Sequence, residues 1–141
     1  MFDIGNALDK QILKRQNNRP TVILTEPLDP RIVEASCFLS RFARLVFLAS
    51  EKEVREVISS IENIDSSRIE FTLGNAAFIE IDKQPELLNE LADACLALPN
   101  EIQKASTKAE ALELLKDPAQ FGIMAVKEGH ADMVVGGLTH E

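Results

Sequence analysis

Two short runs in this 141-residue chain carry side chains suited to holding an anion. The first is Thr25-Glu26-Pro27-Leu28-Asp29-Pro30-Arg31, which follows the β-branched run Thr21 to Thr25. Asp29 and Pro30 read as a helix start, an N-cap carboxylate followed by proline where a missing N–H costs nothing. The backbone N–H groups there are expected to face outward, with Arg31 in the first helical turn. A helix N-terminus favours an anion through its dipole and its unpaired donors, and arginine adds a planar fork matched to phosphate. The alternative for Arg31 is a surface ion pair with Glu34 or Asp29. The second run is Val135-Gly136-Gly137-Leu138-Thr139-His140-Glu141, a small-residue loop after the apolar Met133-Val134-Val135. If both runs follow parallel strands, both open at one carboxyl edge, the usual place for a ligand in an open α/β sheet. Arg31 and His140 then line one crevice.

Other chemistries have little material. There is no phosphate-binding glycine loop of P-loop or dinucleotide type, no nucleophile elbow and no metal-spaced His or Cys cluster. With only His130 and His140, a histidine-centred triad is not supported, and His130 reads as a solvated residue near the negative end of a helix. Fifteen Lys and Arg against 23 Asp and Glu give a net charge of -8, which argues against nucleic acid. Lys10, Lys14, Arg15 and Arg19 are spaced like one solvated helix face. Cys37 and Cys95 each lie in an apolar helical pattern and read as buried free thiols of a reducing, cytoplasmic compartment. No apolar run approaches membrane-spanning length and no leader pattern precedes Asp3, so a membrane role is not expected.

The elements that position these runs alternate. Asp3 to Gln16 carries Ile4, Leu8 and Ile12 as a narrow apolar stripe, predicting an edge helix, with residues 1–19 as helix and connector. The first strand is Thr21–Thr25, then a helix from Asp29 to about Phe42 with Ile32, Ala35 and Leu39 inward, flanked by Val33 and Phe38. Leu45 to Leu48 is the second strand. Ser50-x-x-Glu53 is a capping box opening a helix whose Val54, Val57, Ile58 and Ile61 share a face. Arg68–Leu73 and Ala77–Asp82 read either as a hairpin around Gly74-Asn75, or as a surface excursion followed by a strand at Phe78–Ile81. The second option agrees better with the alternation of strands and helices elsewhere. Pro85 to Leu98 is helical, Thr107-x-x-Glu110 is another capping box, and Asp117-Pro118 starts a helix that Gly129 ends in the left-handed conformation. The order predicts one domain over residues 1–141, a three-layer αβα sandwich with a mostly parallel sheet.

The final pattern D-P-x-x-F-x-x-M-x-V-K-x-G-x-A-D-x-x-V-x-G-x-x-H, from Asp117 to His140, resembles a segment of the phosphate acetyl/butyryl transferases, the phosphotransacetylase family. Glu26, Asp29 and Arg31 match that family's P-E-x-x-D-x-R pattern, with Thr25 in place of the proline. Asp132, Gly137 and His140 match D-G-x-x-S-G-x-x-H, with Met133 for the first glycine and Gly136 for serine. The resemblance spans about Pro20 to Glu141. It implies the first domain of a two-domain protein of isocitrate/isopropylmalate dehydrogenase-like fold, with the active site between the domains. The implied activity is acyl transfer between coenzyme A and phosphate, with coenzyme A and acyl phosphate as substrates and no tightly bound cofactor.

By the same resemblance Arg31, Glu26, Asp29, Gly137, Thr139 and His140 are the substrate-side residues. The family's catalytic carboxylate, a serine and a key arginine belong to its later half, so no catalytic residue is assigned here and the isolated chain is expected to be inactive. Glu101 stands where the family carries a basic residue, and glycines are replaced near Arg41 and at Ala49. Two readings follow: the N-terminal part of a phosphate acyltransferase that needs the remainder, or a non-catalytic binding or assembly domain derived from one. A flavodoxin-like receiver lacks its clustered acidic pocket and ranks below both. Self-association through an exposed apolar face is expected in either case.

Overall fold

The computed structural model describes residues 19–136, so the helix expected over Asp3 to Gln16, with Gly137, Thr139 and His140, lies outside the described residues. Four strands form one parallel sheet: β1 (Thr21–Leu24), β2 (Arg44–Phe47), β3 (Ala76–Phe78) and β4 (Met133–Val135), in the order β3-β2-β1-β4. Six α-helices connect them: α1 (Pro30–Leu39), α2 (Glu51–Ser59), α3 (Ser66–Gly74), α4 (Pro85–Leu96), α5 (Lys108–Leu114) and α6 (Pro118–Lys127), with a 3-10 turn at Ile81–Lys83.

Side-chain alternation along the strands sorts these helices into two layers. Val22, Leu24, Leu45 and Phe47 point to one face, where they pack with Ile32, Val33 and Cys37 of α1, Val54 and Ile58 of α2 and Leu73 of α3. Ile23 and Val46 point to the other, against Leu91 and Cys95 of α4, Ala111 of α5, and Phe121 and Met124 of α6. The result is the predicted three-layer αβα sandwich. Both cysteines are buried free thiols, and burial pushes the Cys95 thiol up from its ordinary value.

Local signals set most boundaries. Asp29 and Asp117 cap α1 and α6 with proline following, and both capping boxes form, Ser50 with Glu53 and Thr107 with Glu110. Gly129 takes φ 83°, and the Gly129 and His130 N–H groups donate to Val126 and Ala125 carbonyls, a Schellman ending for α6.

Three expectations change. The run Arg68–Leu73 is not a hairpin strand: it stays outside the sheet, as the preferred alternative has it, and forms the body of α3. Asp65 accepts the Arg68 N–H as its N-cap, and Thr72 and Leu73 are the residues buried. The third strand begins at Ala76 and ends at Phe78, so Ile81 belongs to the 3-10 turn. In α1 the inward face is Ile32, Val33, Ser36 and Cys37, while Phe38 is exposed, and the helix ends at Leu39. Ser36 tolerates complete burial because its hydroxyl donates to the Val33 carbonyl at 2.6 Å.

Candidate functional site

The sheet order decides where a ligand crevice belongs. The chain moves from β1 outward to β2 and β3 through α1, α2 and α3, then returns across the other face to place β4 on the far side of β1. The direction of winding therefore reverses between β1 and β4. In open α/β sheets that reversal leaves a crevice at the carboxyl ends of the two strands. Here those ends are Leu24 and Val135, which are paired in register, so Gly136 lies beside the start of the loop at Thr25.

Thr25 holds this junction together. It is 5% exposed, its N–H donates to the Val135 carbonyl at 3.0 Å, and its hydroxyl lies 3.4 Å from the same oxygen. A Cβ on Gly136 would collide with Thr25 Oγ1. On the α6 side, a Cβ on Gly122 would lie 2.7 Å from Val134 Cγ2 and 3.2 Å from Thr25 Cγ2. The α6 backbone thus rests directly on the ends of β1 and β4, and the absence of two side chains permits it. Neither contact is visible in the sequence, where Thr25 closes the first strand in place of the family's proline. The available signal was a lone glycine inside an otherwise apolar helix.

In the loop after β1, Asp29 organises the first turn of α1. Its carboxylate accepts the Arg31 N–H at 2.9 Å, and Arg31 Nε and Nη2 at 3.2 and 2.8 Å. The Arg31 hydrogen bond holds the Asp29 carboxyl below its ordinary value, and Asp29 raises Arg31 in turn. The anion-binding expectation is altered by this cap. Pro30 has no N–H to offer and the Arg31 N–H is already taken, so the guanidinium rather than the backbone is the donor left to face a ligand. Arg31 is 65% exposed at its side chain, and its partner is Asp29, not Glu34. The Glu26 carbonyl accepts the Asp29 N–H at 3.2 Å, closing the loop into a turn.

Elsewhere on the carboxyl edge, a cavity of about 570 Å³ opens beyond β2 and β3, floored by Leu48, Ile81, Leu88 and Leu112. Glu53, Glu80 and Asp82 outnumber Lys116 on its rim, a charge balance unsuited to phosphate. Glu101 is exposed in the turn after α4, where the Ile102 N–H donates to the Pro99 carbonyl. Asp132 stands at the other end of the sheet. Its carboxylate accepts the Thr21 N–H at 2.7 Å and its own N–H donates to the Thr21 carbonyl, so it fastens the start of β4 to β1. His130 is not simply solvated: its Nε2 lies 2.6 Å from Glu90 Oε2. Among the described residues no group of His, Cys, Asp and Glu is arranged to hold a metal, and no helix is long and apolar enough to cross a membrane.

The sequence profile of the family described as phosphate acetyl/butaryl transferase matches residues 7–141. The chain belongs to that family. Two curated family members named phosphate acetyltransferase agree. The protein from Acetivibrio thermocellus is 29% identical over 134 residues, covering 93% of this chain and 36% of the relative. That from Thermoanaerobacterium thermosaccharolyticum is 30% identical over 131 residues, covering 92% and 36%. The chain therefore spans about 36% of the length of the curated phosphate acetyltransferases it matches. Among solved structures it resembles the EutD phosphotransacetylase from Staphylococcus aureus, with a TM-score of 0.68 and 25% identity over 95% of this chain and 38% of that one. A phosphotransacetylase from Streptococcus pyogenes shares the fold with a TM-score of 0.69 at 21% identity, covering 99% of this chain and 40% of that one.

Proposed function

We propose that this member of the phosphate acetyl/butaryl transferase family supplies one wall of an anion-binding crevice at the β1–β4 junction. The proposed reaction is acyl transfer between coenzyme A and phosphate, completed by protein beyond this chain. The observation that carries the reading is the reversal of winding between β1 and β4, with the exposed Arg31 guanidinium in the first turn of the helix that follows β1. Arg31 takes the role of cation for the phosphate of an acyl phosphate, inorganic phosphate or coenzyme A. Asp29 orients the guanidinium through its Nε and Nη2, and the Glu26 carbonyl closes the turn behind it. Gly137, Thr139 and His140, which match the family pattern, are proposed as further substrate-side residues. Coenzyme A enters as a substrate, and no tightly bound cofactor is assigned. Acyl transfer requires a thiolate to attack the acyl carbonyl while phosphate leaves, with the developing negative charge held by fixed donors. Arg31 is suited to the leaving phosphate, and the base that takes the thiol proton is not assigned to this chain.

Charge on the edge favours a second reading, a non-catalytic binding or assembly domain of the same descent. Glu26, Asp29, Glu51, Glu53, Glu80 and Asp82 all stand near carboxyl ends of strands, against Arg31, Lys52, Lys83 and Lys116. One titration tests the first reading. Phosphate and coenzyme A, added to the 141-residue protein by calorimetry, are expected to bind, with affinity falling about tenfold or more in Arg31→Ala, the usual scale for losing a charge-assisted pair. Thermal stability should stay nearly unchanged, since Arg31 is a surface residue. Absence of binding, or indifference to Arg31→Ala, would move the assignment to the non-catalytic reading.

Self-association and a cytoplasmic setting belong to the same proposal. Met133 is exposed on β4, Ile102 and Ile123 are exposed around the α4–α6 layer, and both thiols are free. Sedimentation at increasing protein concentration is expected to show association. A monomer throughout, with no binding of a hydrophobic dye, would contradict it.

A further inference from the structure

The amino edge of the sheet, opposite the crevice, carries an aromatic and basic patch on an otherwise acidic protein. Phe38 and Phe42 are each 58% exposed, and their rings lie 5.3 Å apart, centroid to centroid, in a tilted pair. The turn that ends α1 gathers their neighbours: the Arg41 N–H donates to the Phe38 carbonyl, and the Phe42 and Ala43 N–H groups donate to Leu39. Arg44 follows at the first position of β2. Arg19 joins from the segment before β1, its Nη1 donating to the Ser40 carbonyl at 3.2 Å while its Nε is buried without a partner among the described residues. Arg41 and Arg44 are exposed and form no ion pair among the described residues. Glu34, one turn before Phe38, bounds the patch.

Exposed phenylalanines cost hydration free energy that a folded protein ordinarily avoids in clusters, and aromatic and arginine side chains are the types enriched in protein interface centres. We propose that this patch docks an acidic amphipathic segment of another protein, with apolar side chains across the Phe38–Phe42 pair and carboxylates facing Arg41, Arg44 and Arg19. Arg41 and Arg44 give an acidic partner a local attraction on a chain whose net charge is -8. A symmetric pair of copies meeting here would bury the rings but set arginine against arginine, which charge complementarity disfavours. The docking surface lies at the end of the sheet opposite Arg31 and is independent of the crevice proposal.

The test uses a fluorescein-labelled amphipathic peptide of about 14 residues, leucine on one face and glutamate on the other, with a counterpart carrying lysine for every glutamate. Anisotropy with the 141-residue protein should show the acidic peptide binding at least about tenfold more tightly than the basic one, and weakening as salt rises. Phe42→Ser and the double change Arg41→Ala with Arg44→Ala should each reduce binding about tenfold or more, with phosphate affinity untouched and melting curves confirming folding. Should Phe42→Ser fail to fold, Arg41→Glu, outside the core, should shift preference toward the basic peptide. No binding of the acidic peptide, equal affinity for both, or indifference to these substitutions would overturn the proposal. Sedimentation showing a dimer that Phe42→Ser dissolves would also overturn it, placing a second copy on the patch.

Discussion

The 141-residue chain incubated with acetyl-coenzyme A and phosphate is expected to release coenzyme A no faster than buffer alone. Most of the rate of such a transfer comes from positioning both reactants and from donors fixed around the developing charge. At the β1–β4 junction the described residues offer one exposed guanidinium, and the carboxylate paired with it is a poor base. An effective general base has a pKa near the working pH, whereas Asp29 is held below the ordinary carboxylate range by Arg31 and spends its oxygens on that fork and on the α1 cap. The chain also spans only about 36% of the curated relatives. A thiol-release assay at neutral pH measures this directly. Turnover orders of magnitude above the uncatalysed rate, lost in Arg31→Ala, would show that the chemistry belongs to this domain after all.

Gly122→Leu is expected to destabilise the fold by about 2–3 kcal/mol, lowering the melting temperature on the order of 5–10 °C. A helix interior ordinarily gains from replacing glycine, by roughly 1 kcal/mol for alanine. At Gly122 that gain meets Val134 and Thr25, whose methyl groups leave no room for a Cβ. A leucine must push α6 off the ends of β1 and β4 or displace Thr25, whose hydroxyl and N–H close the junction. Gly74, the last residue of α3, is the internal control: a Cβ there meets nothing within 4 Å, so Gly74→Ala should be neutral or mildly stabilising. Matched thermal or denaturant melts of the two variants check both signs. A Gly122→Leu protein as stable as the parent would mean that α6 does not rest on the strand ends.

Signals confined to a few neighbouring residues were legible before any coordinates. Asp29-Pro30, Asp117-Pro118, the two capping boxes and Gly129 each carry a complete local reason for a boundary, and each forms as read. The layered fold followed because strands and helices alternate. The run Arg68–Leu73 misled because Ile69, Phe71 and Leu73 alternate with polar residues, a period-two pattern. Burial instead falls on Thr72 and Leu73, while Phe71 is half exposed, and the deciding signal was the Asp65 cap. In α1, Ser36 and Cys37 face the sheet while Ala35 and Phe38 face solvent, and the Ser36 hydroxyl is satisfied by the Val33 carbonyl, a bond that hydrophobic spacing does not reveal.

At the crevice, the types of the functional side chains were visible but their partners were not. Nothing in the spacing of Asp29 and Arg31 distinguishes a free cation from a forked pair, since both fit an exposed first turn. Thr25 and Gly136 were equally opaque, because their contact spans more than a hundred residues and exists only once β1 and β4 lie side by side.

The central claim is that an anion enters at the β1–β4 junction. Titrating the isotope-labelled protein with inorganic phosphate and following backbone amide resonances tests it most directly. The account predicts shifts concentrated at Thr25 to Arg31 and at Gly136, absent in Arg31→Ala, with the cavity beyond β2 and β3 at Leu48 and Ile81 silent. Shifts centred on that cavity, or none at the strand-end loop as phosphate rises, would contradict it.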